Sequence, residues 1–379
     1  MVLGIDGLSL FVYGGFQHLL RILSYTDIIK KYGFKKVIVW GSDILINSLT
    51  ESDLIELVCI KNNDLVSRLI WQRYQLTKLA EKKCDIVFAP GGVYVSNFRP
   101  YIAMFQNMLV FDNEQLKGEG FTFLRIKTHI LKYFQSYAFN NSNGLIFLSD
   151  NAKDYLYANY NNIVNNSTNT IIPIGVDNNH IDINKIKYKE HNIKIPLRIL
   201  YVSTVMSYKH QWELIAAFSL LIEKGYNVQL HLIGGGDPKF INKIQKSIKI
   251  LNYHKEIVFY HGKMDHDEVK KYYESADIFA YASSCENLPA IILEAMSYGL
   301  PIVSSNLRPM TDIMGKSALY FDHNDINSIA QTIERLINNI ELRRKISHEL
   351  YNRSKSYSWR SCAEQTFSFI SNIAKSYNN

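Results

Sequence analysis

The stretch "DIFAYASSCENLPAIILEAMSYGLPIVSS", residues 277–305, reads as strand, loop, helix and strand in turn. Residues 277–283 are mostly apolar and aromatic, "CENL" is a loop, and Pro289 suits the first position of a helix, where a missing N–H removes no bond. Tyr298-Gly299 then closes the helix, and 301–305 is a second apolar strand. Two strands joined through a helix make a right-handed crossover in a parallel sheet, whose strands are buried on both faces and so run apolar without a break.

The same pattern extends outward. Runs at 198–203, 228–234 and 256–262 predict further strands with helices between them; Lys224-Gly225 stops one helix, and Asp265 and Asp267 open another. Towards the N-terminus, 2–6, 35–40, 85–90, 101–105, 144–149 and 170–174 repeat the scheme less cleanly, and a polar stretch, 177–197, separates the halves. The expected fold class is α/β: two doubly wound, Rossmann-like domains facing across a cleft, 1–180 and 181–357, with a last helix at 358–379.

Composition agrees with this. A chain of 379 residues is long enough for two domains, and 47% hydrophobic with 20% charged residues excludes a disordered one. Four scattered cysteines without a C-x-x-C pair exclude a disulfide framework and a cysteine zinc site. The start, "MVLGIDGLSLFVYGG", lacks a basic region and carries Asp6 in its apolar run, so it predicts a strand and loop in place of a secretion signal. No uninterrupted run of ~18 apolar residues predicts a membrane span. The excess of 42 basic over 35 acidic residues fits an anionic ligand or lipid surface; it is too dispersed for nucleic acid.

Ligands of open α/β sheets bind beyond the carboxyl ends of the strands, so the loops there carry the chemistry. Lys209 follows the 198–203 strand where a helix begins, which places a cation beside free N–H groups, a natural anion site. "LIGGGDP" (232–238), with Gly234 and Gly235, and "VYGG" (12–15) are glycine turns that let backbone approach a ligand; neither matches the dinucleotide or P-loop fingerprint. In 285–303, helical spacing sets Glu294 among Ala290 and Ser297, so its carboxylate faces small residues and can accept from vicinal hydroxyls. "DHD" (265–267) matches a metal-binding string, but Asp265 and Glu268 stand in capping positions, and a helix N-cap is the better reading.

Taken together, these residues resemble the retaining nucleotide-sugar glycosyltransferases of glycosyltransferase family 4, whose fold is called GT-B and which include bacterial O-antigen and capsular polysaccharide enzymes. The resemblance rests on Glu286-x7-Glu294 with "AMSYGLPIV", and on "IPIGVD" (172–177), "YVSTVMSYKHQ" (201–211), "LIGGGDP", the 261–283 stretch and "YSW" (357–359). It is dense over the C-terminal half and thin over the N-terminal half. It implies transfer of a hexose from a nucleotide-diphosphate sugar to a glycan or polyprenyl-linked oligosaccharide in the cytoplasm, with no metal or other cofactor. Lys209 would then hold the diphosphate, Glu294 the ribose, and Glu286 with the amides of Asn287 and Leu288 the sugar; Gly15 would approach the diphosphate from the other domain. The terminal helix would return to the N-terminal domain. Thr204 stands where the family often has arginine, and Gln106 with Asn107 where many members have a catalytic histidine, so no general base is apparent. A sugar-nucleotide epimerase of the same fold and a non-catalytic nucleotide-sugar-binding subunit are the rivals.

Two basic, aromatic segments are candidates for an anionic inner-membrane surface: 65–83, and 115–138 with Lys117, Arg125, Lys127 and Lys132 among Phe121, Phe123, Leu124, Ile130, Leu131 and Phe134. An ordinary helix packing its apolar face inward is the competing reading of both.

Overall fold

The structure is a computed structural model, and it describes residues 1–10, 14–61, 64–112, 123–160, 168–178, 181–190, 194–252 and 256–378, with the side chains of 123–125 and 378 left out. The chain divides into two units: unit 1 is Met1–Gly175 with Trp359–Asn379, and unit 2 is Val176–Ser358. The linker expected at 177–197 is therefore largely part of unit 2. Ile181, Ile183 and Ile186 lie against Gly299, and the Tyr188 hydroxyl donates to Ser347 Oγ at 2.7 Å.

Unit 1 holds a seven-stranded parallel sheet in the order β3-β2-β1-β4-β5-β6-β7. The strands are β1 (Val2–Asp6), β2 (Lys36–Gly41), β3 (Ile55–Cys59), β4 (Ile86–Ala89), β5 (Tyr101–Phe105), β6 (Gly144–Phe147) and β7 (Thr168–Ile171). Among its helices are α1 (Gly14–Leu23), α2 (Leu65–Trp71) and α3 (Phe123–Asn140). Unit 2 holds six parallel strands in the order β10-β9-β8-β11-β12-β13: β8 (Leu197–Val202), β9 (Val228–Ile233), β10 (Val258–Tyr260), β11 (Ile278–Tyr281), β12 (Ile302–Ser305) and β13 (Leu319–Phe321). Its helices include α4 (Gln211–Glu223), α5 (His266–Ser275), α6 (Ala290–Ser297) and α7 (Ile340–Ser354). The inner strands β1, β4, β5, β6, β11 and β12 are buried almost throughout, as strands covered on both faces must be.

The last helix, α8 (Trp359–Asn378), joins unit 1. Ala363, Phe367, Ile370 and Ala374 recur at three- and four-residue spacing and are fully buried, with Phe367 edge-on to Phe34 at 6.3 Å. Burying one such phenylalanine contributes roughly 2–3 kcal/mol. The surface pairs Lys31–Glu364 and Arg360–Asp27 add little beside that.

Candidate active site

In each sheet the strand order reverses once, between β1 and β4 and between β8 and β11, and such switch points open a crevice at the carboxyl ends. Lys209 follows β8 and Glu286 follows β11, so in unit 2 both stand beside the reversal. The two meet. Lys209 Nζ donates to Glu286 Oε1 and, at 3.1 Å, to the Tyr281 hydroxyl, while that hydroxyl donates to the same Oε1 at 2.5 Å. Lys209 is 6% exposed, so the pair is held in a low-dielectric pocket. Burial and the Glu286 carboxylate together push the Tyr281 phenol well above its ordinary range.

Lys209 does not open a helix as the sequence predicts. It ends a short 3-10 turn, Ser207–Lys209, and α4 starts only after His210, whose φ of 51° is left-handed. A side chain in that region is strained, and here it is tied down: His210 Nε2 shares a hydrogen bond with Ser284 Oγ at 3.0 Å, and the Ser284 N–H donates to Tyr208 O at 2.8 Å. The loops after β8 and β11 are thereby laced to each other, and Tyr201 fixes the Lys209 carbonyl from below at 2.5 Å. Pro289 likewise sits one position earlier than expected, as the cap of α6. Asn287 is buried and Leu288 partly buried ahead of it.

Glu294 lies apart from this cluster. Its Oε2 accepts from the Tyr273 hydroxyl at 3.1 Å, and burial pushes its carboxyl up to about 7. The Tyr273 hydrogen bond opposes that rise, and the Asp177 carboxylate adds to it.

The glycines of "LIGGGDP" serve the backbone first. Gly234 has φ 139°, and a Cβ there would lie 1.9 Å from the Ser203 carbonyl oxygen; at Gly236 it would lie 2.2 Å from Val205 O. The loop is zipped to the one after β8, with the Val205 N–H donating to Gly235 O at 2.9 Å. Gly235 is less confined, a Cβ there meeting Lys263 at 3.2 Å, and Thr204 is exposed beside it.

In unit 1, Gly15 lies in the first turn of α1 and not in a loop, and residues 12–13 of the predicted turn fall outside the described residues. A Cβ on Gly15 would lie 2.1 Å from Gln106 Oε1, so these two predicted residues meet, and the glycine makes room for the amide. Gln106 Nε2 donates to Met104 Sδ at 2.9 Å.

Sequence reasoning missed two groups. Tyr281, the third member of the Lys209 cluster, reads as one more apolar strand residue. Asp6, at the carboxyl end of β1, was read only as an interruption of an apolar run. It is buried, held by Leu8 N–H at 3.2 Å and by Gln72 Nε2 at 2.5 Å, and burial pushes its carboxyl up to about 6. A charged residue ending an otherwise apolar first strand was the available signal. Gln72 opens the π-helical stretch Gln72–Leu76, a distortion that recurs at functional sites.

The "DHD" string is a capping box: Asp265 Oδ1 accepts from Glu268 N–H at 2.8 Å, Glu268 Oε2 from Asp265 N–H at 3.2 Å, and Asp267 pairs with Lys270 at 2.7 Å. No group of three or more potential ligands gathers among the described residues.

Residues 182–353 match the family model of glycosyl transferases group 1. An uncharacterized glycosyltransferase of Haemophilus influenzae is 29% identical over 193 residues, 50% of this chain and 52% of that protein. The capsular polysaccharide biosynthesis glycosyltransferase CapM of Staphylococcus aureus is 25% identical over 232 residues, 59% of each. The chain thus spans little more than half the length of these relatives. Among solved structures, sucrose-phosphate synthase of Thermosynechococcus elongatus superposes with a TM-score of 0.74 at 16% identity over 99% of both chains, a likeness of fold. The likeness to glycosyl transferases group 1 thus lies in the C-terminal unit, and the two parallel sheets have the GT-B fold.

Proposed function

We propose that the protein is a retaining, metal-independent hexosyltransferase of family 4 type. It would move a sugar from a nucleotide-diphosphate donor to a glycan acceptor, lipid-linked, in surface polysaccharide synthesis. The observation that carries this reading is the buried Lys209–Glu286–Tyr281 cluster beside the switch point of unit 2. When a diphosphate enters, Lys209 turns part of its charge from Glu286 to the phosphate oxygens, and the carboxylate so loosened accepts from a sugar hydroxyl. Stabilising the departing diphosphate is an electrostatic task that a dry, preorganised ammonium suits. The similarity to CapM supports the polysaccharide assignment. The test is nucleotide release from a panel of purified UDP-, GDP- and dTDP-sugars, with and without excess EDTA. Turnover with one donor class, undiminished by EDTA, is expected. Saturable binding without turnover would make the protein a binding subunit, and complete loss in EDTA would end the metal-independent reading.

Glu294 is assigned to the ribose, where hydroxyls would donate to its ionised form. Its carboxyl is neutral below about 7 and ionised above, so nucleotide affinity should rise between pH 6 and 8 in the wild type and stay flat in Glu294→Gln. Folding shows the opposite sign. The group's ordinary value is near 4.5, so the folded form is favoured at acid pH and loses that advantage as pH climbs to about 7. Above pH 7 the ligand-free Glu294→Gln protein should therefore be more stable than wild type, by roughly 1–3 kcal/mol. Calorimetric titration with nucleotide and thermal melts at pH 5.5 and 8 check both; identical pH slopes would remove Glu294 from the ribose.

Peripheral attachment to an anionic membrane is part of the proposal, and no described helix is long and apolar enough to cross one. Val66 and Tyr74 are each 65% exposed and Tyr133 is 68% exposed; Ile70, Ile126, Ile130 and Tyr137 are exposed near them in sequence, on α2, the π-helical stretch and α3. Each helix also packs an inner face through Trp71, Ala138 and Phe139. Lys132 does not contribute to the outer face, because its Nζ donates inward to the Tyr160 hydroxyl at 2.6 Å. Lys117 and Phe121 lie outside the described residues, as do the side chains of Phe123, Leu124 and Arg125. Flotation with anionic liposomes at low salt should carry the protein upward, and Ile130→Asp with Tyr133→Asp should abolish it. Wild type remaining at the bottom would refute attachment.

A further inference from the structure

Unit 2 has a cavity of about 110 Å³ at the other end of its sheet from Lys209 and Glu286. Asp277 and Pro301, on its wall, immediately precede β11 and β12. Arg343 of α7 lines it and is 1% exposed. Among the described residues, one of the five N–H groups of this guanidinium donates to a protein acceptor, Nη2 to the Lys189 carbonyl at 2.5 Å, and Nε is buried without a partner. No described carboxylate forms an ion pair with it. The near one, Asp277, is committed to Lys189 Nζ at 3.0 Å and to the Arg198 N–H at 2.8 Å.

A buried cation lacking a hydrogen-bonded anion is unfavourable, and a guanidinium fork matches an oxyanion in shape and charge. Lys187 adds a second cation at the rim, against the single exposed carboxylate of Glu274. The volume takes one tetrahedral group and a water or two, well short of the several hundred Å³ a nucleotide needs. We propose that this cavity binds one small oxyanion of the phosphate class, at a site separate from the donor site. The occupant is either free phosphate or the phosphate end of a monoester whose body stays outside.

The full chain is titrated calorimetrically with inorganic phosphate and, separately, with glycerol phosphate, at constant ionic strength in chloride. Saturable binding of either, accompanied by a rise in melting temperature, is expected. Arg343→Met should weaken it by at least about tenfold, and the rim variant Lys187→Gln by about two- to fivefold. Should Arg343→Met fail to fold, Lys187→Gln decides. Lys209→Met/Glu286→Leu, altered only at the proposed donor site, should bind phosphate as wild type does, so failure here and failure of the transferase reading are separable. Binding of phosphate alone identifies the free ion, and preference for the ester identifies the monoester. No saturable binding, or binding unchanged by both Arg343→Met and Lys187→Gln, overturns the site and leaves the cavity to water.

Discussion

If the protein is the proposed transferase, replacing Glu286 by alanine should lower turnover about 10²–10³-fold and weaken the fold at the same time. Both effects come from one contact. Removing the carboxylate leaves the Lys209 ammonium, 6% exposed, with the Tyr281 hydroxyl and the Tyr208 and Tyr281 rings as its partners among the described residues. Breaking a buried pair from one side typically costs about 3–5 kcal/mol, whereas replacing both partners with apolar groups of similar volume is often neutral. Lys209→Met/Glu286→Leu should therefore melt near the wild-type temperature and still release no nucleotide. Steady-state kinetics beside denaturant melts separate the two roles. If the double variant recovered turnover to within about tenfold of wild type, the pair would be a structural fixture with no part in transfer.

Gly234→Ala is the second large effect, and it acts on the fold alone. A methyl at φ 139° meets the backbone oxygen of Ser203, 1.9 Å away, and a backbone carbonyl in a strand-end loop cannot swing aside as a side chain can. A loss of about 3–5 kcal/mol follows, which for a unit of this size lowers the melting temperature by roughly 6–20 °C. Gly235→Ala, facing only the flexible Lys263 side chain, should shift it by less than about 3 °C. Equal shifts in the two variants would contradict the zipped-loop account. They would return Gly234 to the purely ligand-facing role that its place after β9 first implies.

What could be read without coordinates was local. β5 is found within its predicted limits because 101–105 is buried residue by residue, and the Asp265–Glu268 box was visible because capping involves four neighbouring residues. β3 and β13 were not foreseen. Both are sheet edges, one interrupted by Glu56 and ending in exposed Cys59, the other three residues long, so neither carries the unbroken apolar run of an inner strand. The Lys209–Glu286 pair was legible as two residues and not as a contact. It exists because β11 pairs with β8, Ile278 beside Ile199, and that neighbourhood is a property of strand order. Lys132 looked like surface charge because composition does not say which way a helix turns. His210 gave no sign at all, since glycine is the residue that ordinarily announces a left-handed position.

The return of α8 to unit 1 has a consequence for how the protein is made. Unit 1 is interrupted by residues 176–358 and receives its last helix only after them. At ribosomal rates of about 5–20 residues per second, the face that Phe367 and Ile370 will cover waits roughly 10–40 s. During that interval Phe34 and its neighbours lie open on a sheet whose strands are otherwise complete, while unit 2 has all of its own segments and can fold. The second unit to emerge is thus the first able to finish. The nascent chain passes through a stage in which its N-terminal sheet carries an uncovered apolar face, while unit 2 already has every segment it needs.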